Sequence, residues 1–150
     1  MAISKSQKAL IISLSGPSSS GKTTLARLLR DLLPNNNNTF ILHQDDFYHP
    51  ESHLPLRAGH KDWDCPASLD LPALTKALQH IKSTEFIPIL SQIDIKLFLL
   101  ASESAAIARR KARDGYVTLE GFWKDPEGYV EEVVWPNYVE QHSYLFEGGM

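Results

Sequence analysis

The chain has 150 residues, 43% of them hydrophobic and 22% charged, a globular composition long enough to bury a core as one domain. Its 15 Lys and Arg against 18 Asp and Glu give a net charge of −3, which argues against holding nucleic acid by bulk electrostatics. A single cysteine, Cys65, excludes an internal disulfide scaffold, and the apolar run from Ala9 to Leu14 is too short for a membrane span or a signal core. The expectation is one soluble domain over residues 1–150, cytoplasmic, with the nucleus also open to it.

Ala9-Leu10-Ile11-Ile12-Ser13-Leu14 is apolar without alternation and predicts a strand buried on both faces, as in parallel sheets. From Thr24 to Leu33, leucines at 25, 28, 29, 32 and 33 mark an amphipathic helix with Arg27, Arg30 and Asp31 on its wet side. Pro34 and the four asparagines Asn35 to Asn38 end it in a surface loop. Thr39 to His43 predicts a second short strand leading into Gln44-Asp45-Asp46-Phe47-Tyr48. Residues 49–66 are proline-rich and aperiodic, a long loop of the kind that is usually functional in a compact domain.

Helix signals return from Ser68 to Lys82, with Leu74, Ala77, Leu78 and Ile81 on one face and Asp70 near the start. Ile87 to Leu90 reads as a short strand, and Ile93 to Leu99 as a clearer, alternating one. Ser102 to Arg113 is an Ala-rich helix with a basic end, and Glu127 to Phe146 a helix kinked at Pro136. Strands alternating with helices predict an α/β fold with a mostly parallel sheet.

Gly16-Pro17-Ser18-Ser19-Ser20-Gly21-Lys22-Thr23 fits G-x-x-x-x-G-K-[ST] in full, between a strand and a helix. Glycines let backbone N–H groups turn toward phosphates, and the helix N-terminus adds partial positive charge. Lys22 would reach the β/γ oxygens and the Thr23 hydroxyl would ligate Mg²⁺. The pattern in this context points to a nucleoside triphosphate.

Asp45 falls just past the second strand, at the sheet end where open α/β folds bind ligands. A carboxylate there can take the proton of an attacking hydroxyl, help hold Mg²⁺, or be a solvated loop acid. Trp63 either binds a ligand or caps the core, and Asp64 beside it suits ribose hydroxyls. Arg109, Arg110, Lys111 and Arg113 form either a solvated helix face or a clamp over a triphosphate. His49, His53 and His60 do not read as a zinc site, and Cys65 reads as a small buried side chain.

Four segments follow the glycine-rich loop in order: Gln44 to Pro50, Asp62 to Pro66, Arg109 to Tyr116 and Val134 to Tyr138. Together they resemble the nicotinamide riboside kinase family, a branch of the uridine-kinase-like P-loop kinases. The resemblance implies a P-loop NTPase-type three-layer core. It also implies ATP- and Mg²⁺-dependent phosphorylation of the 5′-hydroxyl of nicotinamide riboside to nicotinamide mononucleotide, in NAD salvage. The partner is then a small molecule, with neither nucleic acid nor membrane involved.

By the same resemblance Asp45 and Lys22 are catalytic, and Thr23 and Asp45 hold the metal. Gly16, Ser18, Ser19, Ser20, Gly21, Lys22, Thr23, Thr24, Arg110, Asp114 and Tyr116 bind the nucleotide. Asp45, Asp46, Phe47, Tyr48, Trp63, Asp64, Lys111, Tyr116 and Val117 bind the nucleoside. Trp63 and Tyr116 would sandwich the pyridinium ring, a cation–π contact of roughly 0.5–2 kcal/mol. Arg110 would sit on phosphate and Lys111 at the ribose, within a lid spanning residues 102–118.

The chain departs from the family in two places. The strand reading aliphatic-acid-Gly-Phe-Leu-Leu, expected after Ile87 to Leu90, is absent; Leu119-Glu120-Gly121-Phe122 resembles it but follows the lid and reads as a decoy. The sequence also stops at Gly148-Gly149-Met150, ahead of the family's last strand and helix. A reduced sheet is therefore expected. A catalytically impaired ATP-binding protein of the same fold, or a kinase of uridine or another nucleoside, stand as alternatives.

Overall fold

In the computed structural model, which describes residues 9–33, 39–82, 93–118 and 121–146, the first apolar run becomes strand β1, Ile12–Ser15. It pairs in parallel with β4, Ile95–Phe98, in a register running from Ile12 opposite Ile95 to Ser15 opposite Phe98. Asp94 fastens the entry to this pair: its carboxylate accepts the Ile11 N–H at 2.8 Å and the Lys82 ammonium at 2.8 Å. The chain then turns through the glycine-rich segment into helix α1, Lys22–Leu32. Gly16 sits at φ 137, and a Cβ there would lie 2.4 Å from the Leu99 carbonyl oxygen. The chain leaving β4 thus passes against the loop so closely that only glycine fits.

The helix takes the expected place, but its leucine stripe is poorly covered. Leu25 and Leu29 are half-buried, whereas Leu28 is 55% and Leu32 80% exposed. β1, expected to be buried on both faces, is likewise only half-buried, and residues 39–43 join no ladder among the described residues. Both differences have one physical cause. The described parallel sheet has two strands. It lacks the further layer that would bury the second face of β1 and α1, and it offers residues 39–43 no ladder to join. Ile87–Leu90 and the junction that follows lie outside the described residues, as do Pro34 and Asn35–Asn38.

The long loop is more ordered than its composition suggests. A 3₁₀ turn at Gln44–Phe47 leads into it and another at Pro66–Ser68 leads out, and between them it holds a 3₁₀ turn at Glu51–His53 and a small hairpin of β2, Leu56–Arg57, with β3, His60–Lys61. Ala58 and Gly59, both at positive φ, form the two-residue turn that matches strand twist. Helix α2, Leu71–Lys82, starts after Asp70, whose Oδ1 accepts the Ala73 N–H at 2.8 Å and so caps it. Helix α3, Glu103–Lys111, is capped in the same way by Ser102.

Strands β5, Tyr116–Thr118, and β6, Gly121–Trp123, form an antiparallel hairpin after the lid helix. Leu119 and Glu120 lie outside the described residues. The C-terminal helix is irregular: a π-helical segment, Val130–Val134, runs into α4, Trp135–His142, and a 3₁₀ turn follows at Ser143–Leu145. The irregularity precedes Pro136, which lies in the first turn of α4 where a missing N–H costs least.

The core gathers at the π-helical segment. Tyr129, Val130, Val133 and Val134 are buried together, with Trp63, Ile107 and Trp123 packed against them. It therefore joins the long loop, the lid helix and the β5–β6 hairpin. The fold is α/β with a parallel sheet, and among the described residues no helix is long and apolar enough to cross a membrane.

Candidate active site

A cavity of about 800 Å³ runs along the glycine-rich loop. Lys22, in the first turn of α1, folds back on that loop and donates to the carbonyls of Gly16 at 2.9 Å and Pro17 at 2.8 Å. Burial pushes its pKa below the ordinary lysine value, and the Asp45 carboxylate pulls the other way. The Ser19 and Ser20 hydroxyls are buried with no partner among the described residues. Thr23 and Thr24 are exposed and line the cavity, as do Gly16, Ser18, Ser19 and Gly21.

Across from the loop, the 3₁₀ turn Gln44–Phe47 presents Asp45 and Asp46, both exposed and both lining the cavity with Tyr48. Phe47 does not line it; its carbonyl accepts the Asp70 N–H at 2.8 Å and ties the turn to α2. Burial, with the charges of Asp64 and Asp45, pushes the Tyr48 hydroxyl well above its ordinary pKa.

Arg110 organises the rest of the site. Its side chain is only 7% exposed. Nε donates to Asp125 Oδ2 at 2.8 Å and Nη2 to Asp125 Oδ1 at 3.0 Å. Nη1 donates to Asp64 Oδ1 and to Ser18 Oγ, each at 3.1 Å. Burial works against the guanidinium, but the hydrogen bonds to Asp125 and the charge of Asp64 outweigh it and hold its pKa above the ordinary value. Burial likewise pushes the Asp64 carboxyl up, against the pull of Arg110. Tyr129 completes the network, its hydroxyl accepting the Trp63 N–H at 3.1 Å and lying 3.3 Å from Asp64 Oδ2.

Arg110, the α3 cation that meets the phosphate loop at Ser18, is thus engaged with two carboxylates. Lys111, expected at the ribose, is turned outward instead and pairs with Glu131; it does not line the cavity. One helical step of about 100° separates the two residues, so the face that buries Ala106 and Arg110 carries Lys111 away. Asp114 is exposed and does not line the cavity either, nor does Ser20, and the Val117 side chain lies outside what is described. Arg113 does line it, with no ion pair among the described residues.

Trp63 and Tyr116 line the same cavity; Trp63 packs edge-on against Tyr48 at 5.3 Å and at a 57° tilt against Trp123 at 5.8 Å. The Tyr116 ring is faced by two guanidinium groups, Arg110 at 5.1 Å and Arg113 at 5.3 Å. Behind Trp63, buried Asn137 donates to both oxygens of buried Asp62, at 2.9 and 3.0 Å, and accepts from Arg57 at 2.6 Å. Asp62 in turn accepts the Asp64 N–H at 3.0 Å, so α4 fixes the loop that carries Trp63 and Asp64.

Asp62 and Asn137 lie in the segments Asp62 to Pro66 and Val134 to Tyr138, which carry a sequence signal without showing that the two pair; Trp123 and Asp125 follow the Leu119-Glu120-Gly121-Phe122 segment and carry no sequence signal of their own.

No family model matches the sequence. The nicotinamide riboside kinase of Schizosaccharomyces pombe is 31% identical, with 95% of this chain and 83% of the relative covered. That of Saccharomyces cerevisiae is 28% identical over 96% and 82% of the two chains. A uridine kinase of Lactobacillus johnsonii is 32% identical over 51% of this chain and 37% of its own. The S. pombe alignment spans 194 positions, more than the 150 residues of this chain, so the relative carries residues inside the matched stretch that this chain does not have. With the complete phosphate loop, the Asp45 turn and the Trp63–Asp64 loop around one cavity, the chain belongs to the nicotinamide riboside kinase family.

Proposed function

We propose that this protein transfers the γ-phosphoryl group of ATP to the 5′-hydroxyl of nicotinamide riboside, giving nicotinamide mononucleotide and ADP. The observation that carries this reading is that one cavity is lined both by the phosphate loop and by the Asp45, Trp63 and Asp64 side chains. Lys22 releases the two loop carbonyls it holds and moves to phosphate oxygens, and Arg113, which lines the cavity with no ion pair among the described residues, joins it. The bond from the 5′ oxygen to the γ-phosphorus forms as the β–γ bridging bond breaks, and the hydroxyl proton passes to the Asp45 carboxylate. Asp64 takes the ribose hydroxyls. The uridine kinase relative makes uridine the natural control substrate.

Among the described residues no group of three or more His, Cys, Asp or Glu side chains is placed to hold a metal ion alone. Mg²⁺ at a nucleotide site needs only one or two protein oxygens, the rest coming from phosphates and water. The Thr23 hydroxyl and the Asp45 carboxylate, both lining the cavity, are hard oxygen donors of that kind and would hold it. When bound it supplies charge neutralisation at the β- and γ-phosphates. A cytoplasmic place of action remains part of the reading, supported by the single unpaired cysteine.

The test is a coupled assay of ADP release with ATP, Mg²⁺ and either nicotinamide riboside or uridine. Turnover on the riboside, at a kcat/KM at least tenfold above uridine, is the expected result. Turnover on uridine alone would replace the reading with a pyrimidine nucleoside kinase.

A further inference from the structure

We propose that Asp125 is a positioning residue which, through Arg110, couples the nucleotide and nucleoside halves of the cavity, so that each substrate binds more tightly when the other is present. The inference rests on the reading of the chain as a kinase of nicotinamide riboside. Asp125 does not line the cavity, and its side chain is 13% exposed. Whatever it does for a ligand it does through Arg110, its charged partner.

The five N–H groups of a guanidinium lie in one plane and cannot be aimed separately. Five acceptor contacts account for all five in Arg110. Asp125 takes Nε at 2.8 Å and Nη2 at 3.0 Å, a two-bond fork that fixes the plane. Asp125 is itself held, its Oδ1 accepting the Trp123 indole N–H at 3.0 Å. Nη2 also reaches Asp64 Oδ2 at 3.4 Å, and Nη1 is divided between Asp64 Oδ1 and Ser18 Oγ, each at 3.1 Å. One plane, set by Asp125, thus joins the phosphate loop at Ser18 to the nucleoside loop at Asp64.

Nη1 is the shared element, and both substrates act on it. Ser18 and Asp64 line the cavity, so each end of the tie faces a ligand. Phosphate oxygens on the loop are charged acceptors and draw a guanidinium more strongly than the Ser18 hydroxyl does. As Nη1 turns toward them, Asp64 Oδ1 is left open to accept a ribose hydroxyl. In the reverse order, a ribose hydroxyl donating to Asp64 Oδ1 releases Nη1 to the nucleotide. Each ligand therefore favours the other, by the same factor in both directions. The Asp125 fork makes the exchange a pivot, because it keeps Nε and Nη2 in place while Nη1 changes partner.

Calorimetry tests this by measuring the Kd of nicotinamide riboside with and without a saturating, non-hydrolysable ATP analogue and Mg²⁺. In the wild type the riboside should tighten about 5- to 150-fold when the analogue is bound, and the analogue should tighten by the same factor when the riboside is bound. Asp125→Asn keeps the shape but offers the fork one acceptor in place of two, and should bring that factor to within about twofold of unity. A merely structural Asp125 would weaken both affinities and leave the factor unchanged, and that result overturns the proposal. If Asp125→Asn shows no cooperative unfolding, Ser18→Ala decides: it removes the phosphate-loop end of the tie and leaves Asp125 and Asp64 in place. An unchanged factor in Ser18→Ala overturns the proposal. A wild-type chain that binds no riboside in either state overturns the functional reading and this proposal together; one that binds both ligands with a factor of one overturns this proposal alone.

Discussion

Replacing Arg110 with methionine tests whether the buried ion cluster holds the lid to the rest of the site. The substitution keeps a flexible, unbranched apolar stem, shorter than that of arginine, and removes the charge. It leaves Asp64 and Asp125, with side chains 18% and 13% exposed, without a cation between them. Breaking a buried pair by removing one partner costs roughly 3–5 kcal/mol, because the remaining charge is stranded away from water. Against a total stability of about 5–15 kcal/mol for a domain, that loss is large enough to read directly from a urea midpoint. Part of the penalty is a penalty of charge. Burial already raises the Asp64 carboxyl, and without Arg110 it loses the largest pull in the other direction, while Asp125 loses the hydrogen bonds that lower it; the folded variant therefore holds protons more tightly than the wild type does. The deficit should therefore be largest at pH 7.5 and shrink as the pH falls toward the ordinary aspartate value of 3.8. Adding Asp125→Asn should recover about 0.5–3 kcal/mol of it, since one stranded charge is gone. A methionine variant within about 0.5 kcal/mol of wild type at pH 7.5 would refute the cluster as a structural tie.

Three other outcomes follow from the same geometry. Lys22→Ala removes the charge-assisted bonds to phosphate, worth about 1.5–3 kcal/mol, so calorimetry should show ATP affinity weakened roughly 10- to 100-fold; equal affinities would exclude the phosphate role. Asp45→Asn should lower turnover by roughly 10²–10⁴-fold with ATP binding little changed, and unchanged turnover would move the proton acceptor to Asp46. Although burial opposes it, the Arg110 hydrogen bonds hold the Asp125 carboxyl below the ordinary 3.8. Its stabilising contribution is therefore present above that pH and lost as the pH falls through the lowered value. Asp125→Asn should accordingly flatten the acid-unfolding curve below pH 3.8, and an unchanged slope there would assign the acid transition to other groups.

What the sequence showed, and what it hid, divides along local and non-local physics. The phosphate loop was legible because its chemistry is set by spacing within eight residues, and Gly16 is required by contact with Leu99 as well as by its own φ. The start of α3 was legible through Ser102, whose side chain caps the first turn, whereas α2, expected from Ser68, begins at Leu71, after the 3₁₀ turn Pro66–Ser68 and the cap at Asp70. Residues 39–43 were not, because a strand exists only through a partner, and composition reads the same with or without one. In the basic run, charge alone could not separate Arg110 from Lys111. The signal was present in the helical spacing: Ala106 and Arg110 lie four apart on one face and are both buried. Trp123 and Asp125 were not legible because the partners that tie them to the site are distant in sequence: Trp123 packs against Trp63 of the long loop, and Asp125 reaches Asp64 only through the guanidinium of Arg110 on α3.

The departure from the relatives makes its own prediction. The S. pombe enzyme has residues within the aligned stretch that this chain lacks, and in this chain the described parallel sheet has two strands. A third strand beside β1 would widen the surface under α1 and give residues 39–43 a ladder. Leu28, Leu32 and Phe40, at 55%, 80% and 63% exposed, are the side chains with most to gain. Full burial of such a side chain contributes about 1.5–3 kcal/mol relative to exposure, so covering the exposed fractions of all three contributes ~6 kcal/mol at most, and less because the unfolded chain already buries part of that surface. Inserting the family's acid-Gly-Phe strand and its following loop after Leu90 should therefore raise stability by about 2–4 kcal/mol, or roughly 5–15 °C in Tm. Thermal unfolding of the two chains under one set of conditions measures this. A control insertion of the same length with its apolar residues replaced by serine should give no gain, since it adds a loop without a surface to bury. If the restored chain melts at the same temperature as the natural one, the inserted strand adds no cover to the exposed leucines of α1, and the reasoning from their exposure is refuted.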